Sequence, residues 1–301
     1  MTLLALLIAL LLTRLLPSRH GADLPRLVET VGARLAAVLD GQAYAVVAWW
    51  LVLGVVGGLG WLVSALLRDI HPILGLGFDV AVLYGTLGSA RDTAAYGLVH
   101  KALQEDDVPG AARALSRWMG GECALNDADQ IARVAIERAL LSAHRNVFGV
   151  SFWFVLMPGP GGALAYALLA SLARDWPVAG GPAPASWRVL DSLDWLPARM
   201  TALAYSVAGN FEDAAYCWRS QARQWHNEIE GILISSGAGA LGVKLGRPIQ
   251  CGGRTVSRPE LGVGAEACPD LLQSAVELVW RTLVLCLALL ALFSVAGWVS
   301  G

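Results

Sequence analysis

Long apolar runs alternate with polar segments along the whole chain. Residues 2–16, TLLALLIALLLTRLL, lack a basic start and a clear small-residue cleavage site. They read as an uncleaved helix rather than a signal peptide. At about 15 residues the run is short for a span, which needs about 20, so the helix is short or tilted, with Arg14 reaching to the interface. From Asp23 to Asp40, Leu24, Leu27, Val28, Val31, Leu35 and Val38 fall on one helical face, which predicts an amphipathic helix lying on the membrane or on the protein. Residues 44–67 form the clearest span, uncharged, with Trp49, Trp50 and Trp61, and closed by Arg68-Asp69. Gly54, Gly57, Gly58 and Gly60 in this span allow close helix packing in lipid. After His71-Pro72, residues 73–90 form a weaker span or half-span around Asp79. An acid there needs protein or water beside it, and a site residue and a structural acid stand equal as readings.

Residues 91–145 are polar and helical in pattern. Asp107 before Val108-Pro109 marks a helix start, Gly120-Gly121 a stop, and Asn126 with Asp129 the next start. Residues 146–173 are uncharged and strongly apolar, but Pro158-Gly159-Pro160-Gly161-Gly162 interrupts them. The run either crosses once or turns back. Irregular backbone at membrane depth is tolerated only under cover, and re-entry would place 91–145 and 174–273 on one side. A Pro/Gly/Ala loop at Pro177–Ser186 leads to an amphipathic or membrane-lying helix at Trp187–Phe211. Residues 212–270 are polar and contain what reads as a glycine loop, ISSGAGALGVKLGRP. Residues 276–299 form a closing span.

Composition agrees with the pattern: 56% of the 301 residues are apolar and only 15% charged, where soluble domains carry about a quarter. The predicted fold is all-α: a polytopic integral membrane protein with roughly three to five embedded segments, extramembrane amphipathic helices and polar modules at 91–145 and 174–275. The lipid bilayer is its first partner. A formal charge of -2 excludes a strongly basic nucleic-acid footprint. The five cysteines form no C-x-x-C pair and the five histidines no H-x-x-x-H face, so neither a metal site nor a disulfide framework is suggested. The Lys/Arg distribution does not orient the chain. A transporter would show more spans or an internal repeat.

Several segments, in order, resemble the CobD/CbiB family and its relative AmpE. GPGGALAYALLASL (159–172) is similar to the family's GxPGALAYKxxNTLDS. Leu190–Leu203 resembles L-D-D-x-x-N-x-x-P-A-R-L-T-A-L, and Gly209–Arg223 resembles G-x-x-x-x-A-x-x-x-W-R-R-D-A-R. Gly239–Pro248, Gly252-Gly253 and Arg258–Gly262 resemble A-G-A-L-G-V-R-L-G-G-P, Y-G-G and R-P-x-L-G. Ala114–Arg117 and Ile131–Glu137 resemble the helix before the family's E-N-T-S-D-G. The N-terminal part looks more like AmpE. The resemblance implies an inner-membrane, multi-pass protein. In its enzyme branch it implies an ATP-dependent synthase joining adenosylcobyric acid to an aminopropanol group, with Mg-ATP and a corrinoid bound.

The departures fall on polar motifs. Leu141–Asn146 reads LSAHRN in place of E-N-T-S-D-G. Residues 170–174 replace N-T-L-D-S, and Trp225–Ile229 replaces S-P-N-A-G. This pattern leads to the expectation of a diverged, non-catalytic or regulatory AmpE-like member with a possible protein partner. The alternative is an active synthase, for which Glu137, Asp191, Arg199, Lys244 and Arg258 remain. As a candidate polar site, His144, Arg145 and Asn146 would lie at the mouth of the broken helix, with Glu137 two turns earlier. Asp191 and Arg199, eight apart, would pair or read a phosphate. Gly237, Gly239 and Lys244 would form a phosphate loop, against the plainer reading of a flexible glycine loop.

Overall fold

The computed structural model describes residues 2–15, 23–87, 90–172 and 184–299. Pro17–His20, Ala173-Arg174 and most of the loop at 177–186 lie outside the described residues, as does the side chain of Arg14. In chain order the helices are α1 (Thr2–Leu15), α2 (Asp23–Leu39), α3 (Ala45–Ile70), α4 (Pro72–Thr86), α5 (Ala90–Gln104), α6 (Val108–Met119) and α7 (Ala128–Ala143). A π-helical turn, His144–Phe148, joins α7 to α8 (Gly149–Leu156). Then follow α9 (Gly161–Leu172), α10 (Ala185–Ala208), α11 (Phe211–Gln221), α12 (Glu228–Leu241) and α13 (Leu271–Val299). Between α12 and α13 lie short strands β1 (Val243–Gly246), β2 (Ile249–Cys251), β3 (Arg254–Val256), β4 (Glu260–Gly262) and β5 (Ala265–Glu266). The helices bear out the all-α membrane class. The strands depart from the all-helical expectation because runs of two to four residues are too short to show an alternating pattern.

Residues 45–70, 128–156 and 271–296 are each long and apolar enough to cross a membrane. In the first and third of these, large side chains such as Leu51, Val55, Leu292 and Phe293 lie on the surface, as lipid-facing positions do, whereas the second buries Ile131, Leu140 and Phe154. The chain is a membrane protein. The second of these helices differs from expectation, since α7 runs on through the π-turn into α8 and its start belongs to the polar module.

The chain divides into two compact units, Met1–Ala90 with Arg145–Asp194, and Arg91–His144 with Trp195–Gly301. In the first, α3 packs on α4 and α9, α1 on α4, and α9 on α2 and α8. The PGPGG break makes α8 and α9 a helical hairpin. Gly161, at its turn, sits where a Cβ would lie 2.0 Å from Gly57 O, and Gly60 faces the Cα of Gly161. Gly57 and Gly60 thus permit the close crossing read from the sequence; Gly54 and Gly58 meet nothing. His71 caps α4 by accepting from Ile73 N, and Pro72 fits its first turn. Trp49 Nε1 donates to Asp40 at 2.6 Å, and Ser186 donates to the same carboxylate through N and Oγ. The apolar face expected on α2 is covered only in part: Leu27, Val31 and Val38 are exposed, while Val28 and Leu35 are half-buried.

In the second unit α12 packs on α11 and α7, and α7 on α13, α6 and β1. Asp107 caps α6 and Gly120 ends it in the left-handed region, as the sequence indicates. Asp127, one residue beyond the expected Asn126, caps α7 by accepting from Gln130 N. The expected glycine loop is largely helix α12, completely buried over Ile229–Ala240. Its small residues let other elements approach: a Cβ on Gly237 would meet Leu140, and one on Gly239 the backbone of Asp213-Ala214. Residues 91–144 and 212–270 both belong to this one unit. They are also joined covalently by a disulfide between Cys123 and Cys251, beside the backbone pairs Ala124 N to Gln250 O and Gly252 N to Glu122 O. That bridge corrects the expectation of no disulfide, since a separation of 128 residues carries no local signature.

Candidate functional site

In the second unit a cluster of charge is buried where α7 meets β1. Glu137 and Arg133, one turn apart on α7, are both buried. The Glu137 carboxylate accepts from Gly246 N at 2.7 Å through one oxygen and from Arg258 Nη1 at 2.6 Å through the other. Strand pairing places these donors. β1 runs antiparallel to β4, with Leu245 opposite Leu261 and Gly246 opposite Glu260, and parallel to β5. Gly246 has φ 84°, and a Cβ there would lie 2.0 Å from Pro259 O, so only glycine turns its amide to Glu137. Arg247 follows, also left-handed at φ 73°, and its carbonyl accepts from Arg258 Nε at 3.1 Å. Gln221 of α11 pins β4 by exchanging hydrogen bonds with the backbone of Gly262.

Around this core lies a charged rim and an aromatic wall. Arg247 bridges Glu260 and Glu266, both at 2.7 Å, and Lys244 reaches the same two carboxylates at 3.7 and 3.6 Å. The Arg247 hydrogen bond, and then the charges of Arg247 and Lys244, hold the Glu266 carboxyl below the usual range. The Arg258 guanidinium stands over the Trp225 ring, 5.4 Å from its centre. Behind the indole, buried Glu230 accepts from Trp225 Nε1 and pairs with His226, both at 3.3 Å. Asn227 caps α12 and so fixes this corner. Nε of Arg133 and Nη2 of Arg258 are buried without a hydrogen-bond partner.

The structure sorts the sequence candidates. Glu137 and Arg258 meet directly, and Lys244 joins them through the shared rim. Glu137 does not serve the mouth of the broken helix. His144, Arg145 and Asn146 lie in the π-turn at the start of α8, whereas the break follows its end. His144 Nδ1 is 3.0 Å from Thr201 Oγ1, and Arg145 stands over Trp187. Asp191 and Arg199 do not form the proposed pair. Eight residues of helix span about 12 Å, and Arg199 instead donates to Trp195 O, stacks on that ring and reaches Glu228 at 3.8 Å. Gly237 and Gly239 are helix-packing residues, and Lys244 alone of that set belongs to the charged cluster. Asp79 is a structural acid, buried and held by Ser64 Oγ and Arg68. The sequence reading missed Arg133, Trp225, Glu230, Arg247, Glu260 and Glu266. Only the Arg133–Glu137 spacing on an otherwise apolar helical face carried a signal.

The model of the family described as CobD/Cbib protein matches residues 6–279, nearly the whole chain and all of this cluster. The chain belongs to the CobD/CbiB family. It is 33% identical over 244 residues to the cobalamin biosynthesis protein CobD of Stutzerimonas stutzeri, covering 79% of this chain and 78% of that one. To the CobD of Chromobacterium violaceum it is 36% identical over 225 residues, covering 72% and 71%. To the CbiB of Salmonella arizonae it is 27% identical over 275 residues, covering 85% and 82%. No solved structure matches. These relatives overturn the expectation of a non-catalytic, regulatory, AmpE-like member. They are named for cobalamin biosynthesis, and they match 72%, 79% and 85% of this chain despite the polar departures at 141–146 and 225–229.

Proposed function

We propose that this family member is an active cobalamin-biosynthesis enzyme of the inner membrane, crossing it more than once. Its reaction joins the carboxyl group of adenosylcobyric acid to the amine of an aminopropanol group, with ATP, to give adenosylcobinamide or its phosphate. The single observation behind this reading is the buried Glu137–Arg258 pair with its surplus of guanidinium donors. When the amino alcohol is phosphorylated, every substrate of such a condensation carries an anionic group: the carboxylate, the nucleotide phosphates and the phosphate of the amino alcohol. Arginine forks in a poorly solvated site suit such groups.

The resemblance also implies magnesium with the nucleotide. Among the described residues no three His, Cys, Asp or Glu side chains converge as a metal site. The carboxylates of Glu137, Glu260 and Glu266 are each engaged by cations. The cluster therefore suits the phosphate oxygens and not the metal ion. The test is a product assay on detergent-purified protein with adenosylcobyric acid, Mg-ATP and aminopropanol phosphate, read by mass. Product is expected, and Arg258→Gln should abolish it. Absence of product with folded wild-type protein would overturn the reading.

A further inference from the structure

The cluster beside Glu137 holds more positive charge than its own carboxylates neutralise. Among the described residues, four linked cations, Arg133, Lys244, Arg247 and Arg258, share three carboxylates, Glu137, Glu260 and Glu266. Glu230 sits behind the Trp225 indole, where it accepts from Trp225 Nε1 and pairs with His226.

The unbalanced charge has a direction. Arg133 is 8% exposed, and so is the side chain of Arg258. Each keeps one buried N–H donor without an acceptor, Nε of Arg133 and Nη2 of Arg258. Buried donors of this kind are rare, and a charged one left unmet is costly. Glu137 cannot take them on, since its two oxygens already hold Gly246 N and Arg258 Nη1. An acceptor from outside the chain, itself negative, would satisfy both.

We propose that Arg133, Arg247 and Arg258 form a binding site for a phosphate group, walled by Trp225. The three guanidiniums come from α7, from the turn after β1 and from the loop before β4, and Arg133 lies within the electrostatic reach of both Arg247 and Arg258. A tetrahedral anion with three acceptor oxygens and a charge near -2 answers that arrangement better than a planar carboxylate. Arg247 is the movable member. Its partners Glu260 and Glu266 are 41% and 54% exposed, and surface pairs of this kind are weak. Arg247 exchanges them for the phosphate, while the buried Glu137–Arg258 pair stays fixed. The site rests on the proposed reaction for the identity of its ligand: the phosphate belongs either to ATP or to the phosphorylated amino alcohol.

Inorganic phosphate, titrated calorimetrically into the detergent-purified full chain, is the first probe. Saturable binding to the wild-type protein is expected. Arg247→Gln, at a half-exposed position, should weaken it about tenfold, the worth of one charged hydrogen bond, with the melting temperature of the variant checking its fold. Arg133→Lys, which keeps the charge but moves the donor, should weaken it as well. Arg281→Gln, at an exposed pair with Glu277 on α13, should leave it unchanged. No binding to the wild type, or binding unaffected by both cluster variants, would overturn the site. Competition by ATP or by aminopropanol phosphate identifies the source, and competition by neither would overturn the substrate role. Phosphate binding without amide formation would sink the proposed reaction and leave the site standing. Amide formation with an unchanged KM for both phosphorylated substrates in Arg247→Gln would do the reverse.

Discussion

Each unit buries a carboxylate against an arginine, and the two pairs are built to different ends. In the first unit, Asp79 is 3% exposed and takes Ser64 Oγ on one oxygen and Arg68 on the other. Arg68 lies in the slot left by Gly75, where a Cβ would strike its side chain, and stays 40% exposed. Charges balance, and the cation keeps contact with its surroundings. In the second unit, the Glu137–Arg258 pair is 4% and 8% exposed in its side chains, with Arg133 beside it and two N–H groups unmet. The contrast teaches that burial alone does not mark a functional acid. Asp79 exhausts its partners and locks two helices, whereas Glu137 organises a group of cations that remains unsatisfied.

The largest effect tests that contrast directly. Glu137→Ala leaves Arg258 and Arg133 buried without their carboxylate and should cost about 3–5 kcal/mol. Asp79→Ala should cost less, because Arg68 can turn toward solvent or headgroups. Thermal unfolding in one detergent measures both. An equal or larger loss for Asp79→Ala would break the comparison.

The next effect is covalent. The second unit joins its two polar segments through Cys123–Cys251 across 128 residues, and Cys123→Ser with Cys251→Ser should lower stability by about 2–4 kcal/mol. Reductant should lower the melting temperature of the wild type and leave the double variant unmoved. The first unit relies instead on close helix crossing. Gly161→Ala would put a methyl group against Gly57 O and should cost about 1–3 kcal/mol. Gly58→Ala meets nothing within 4 Å and should be neutral or slightly stabilising.

The same contrast explains what could be read from the chain. The spans at 45–70 and 271–296 and the break in 146–173 follow from local apolarity and from proline and glycine. The Asp107 cap and the Gly120 stop follow from single residues with local partners. The charged cluster does not, because Glu137 and Arg258 are 121 positions apart and meet only through strands too short to show a pattern. The stretch 234–241 was misread because glycine among small residues signals a loop in water and tight helix packing in a buried core. Relatives, rather than residue chemistry, overturned the regulatory reading.

The smallest effect lies on the rim of the cluster. The Glu266 carboxyl is held below its ordinary value of 4.5, first by the Arg247 hydrogen bond and then, against some desolvation, by the charges of Arg247 and Lys244. A carboxyl lowered by folding binds its proton more weakly in the folded state than in the unfolded one. Its stabilisation is therefore complete above pH 4.5 and is lost as pH falls below that value through the folded pKa. Solvent exposure and salt screening keep the effect small. Melting temperatures between pH 6 and pH 3 should fall slightly less for Glu266→Gln than for wild type, and the difference should shrink in about 1 M salt. If the rim pairs are as exchangeable as the phosphate site requires, inorganic phosphate at pH 6 should also release Glu266 from Arg247 and raise its pKa toward 4.5. A Glu266 titration unmoved by saturating phosphate would show that Arg247 does not change partners.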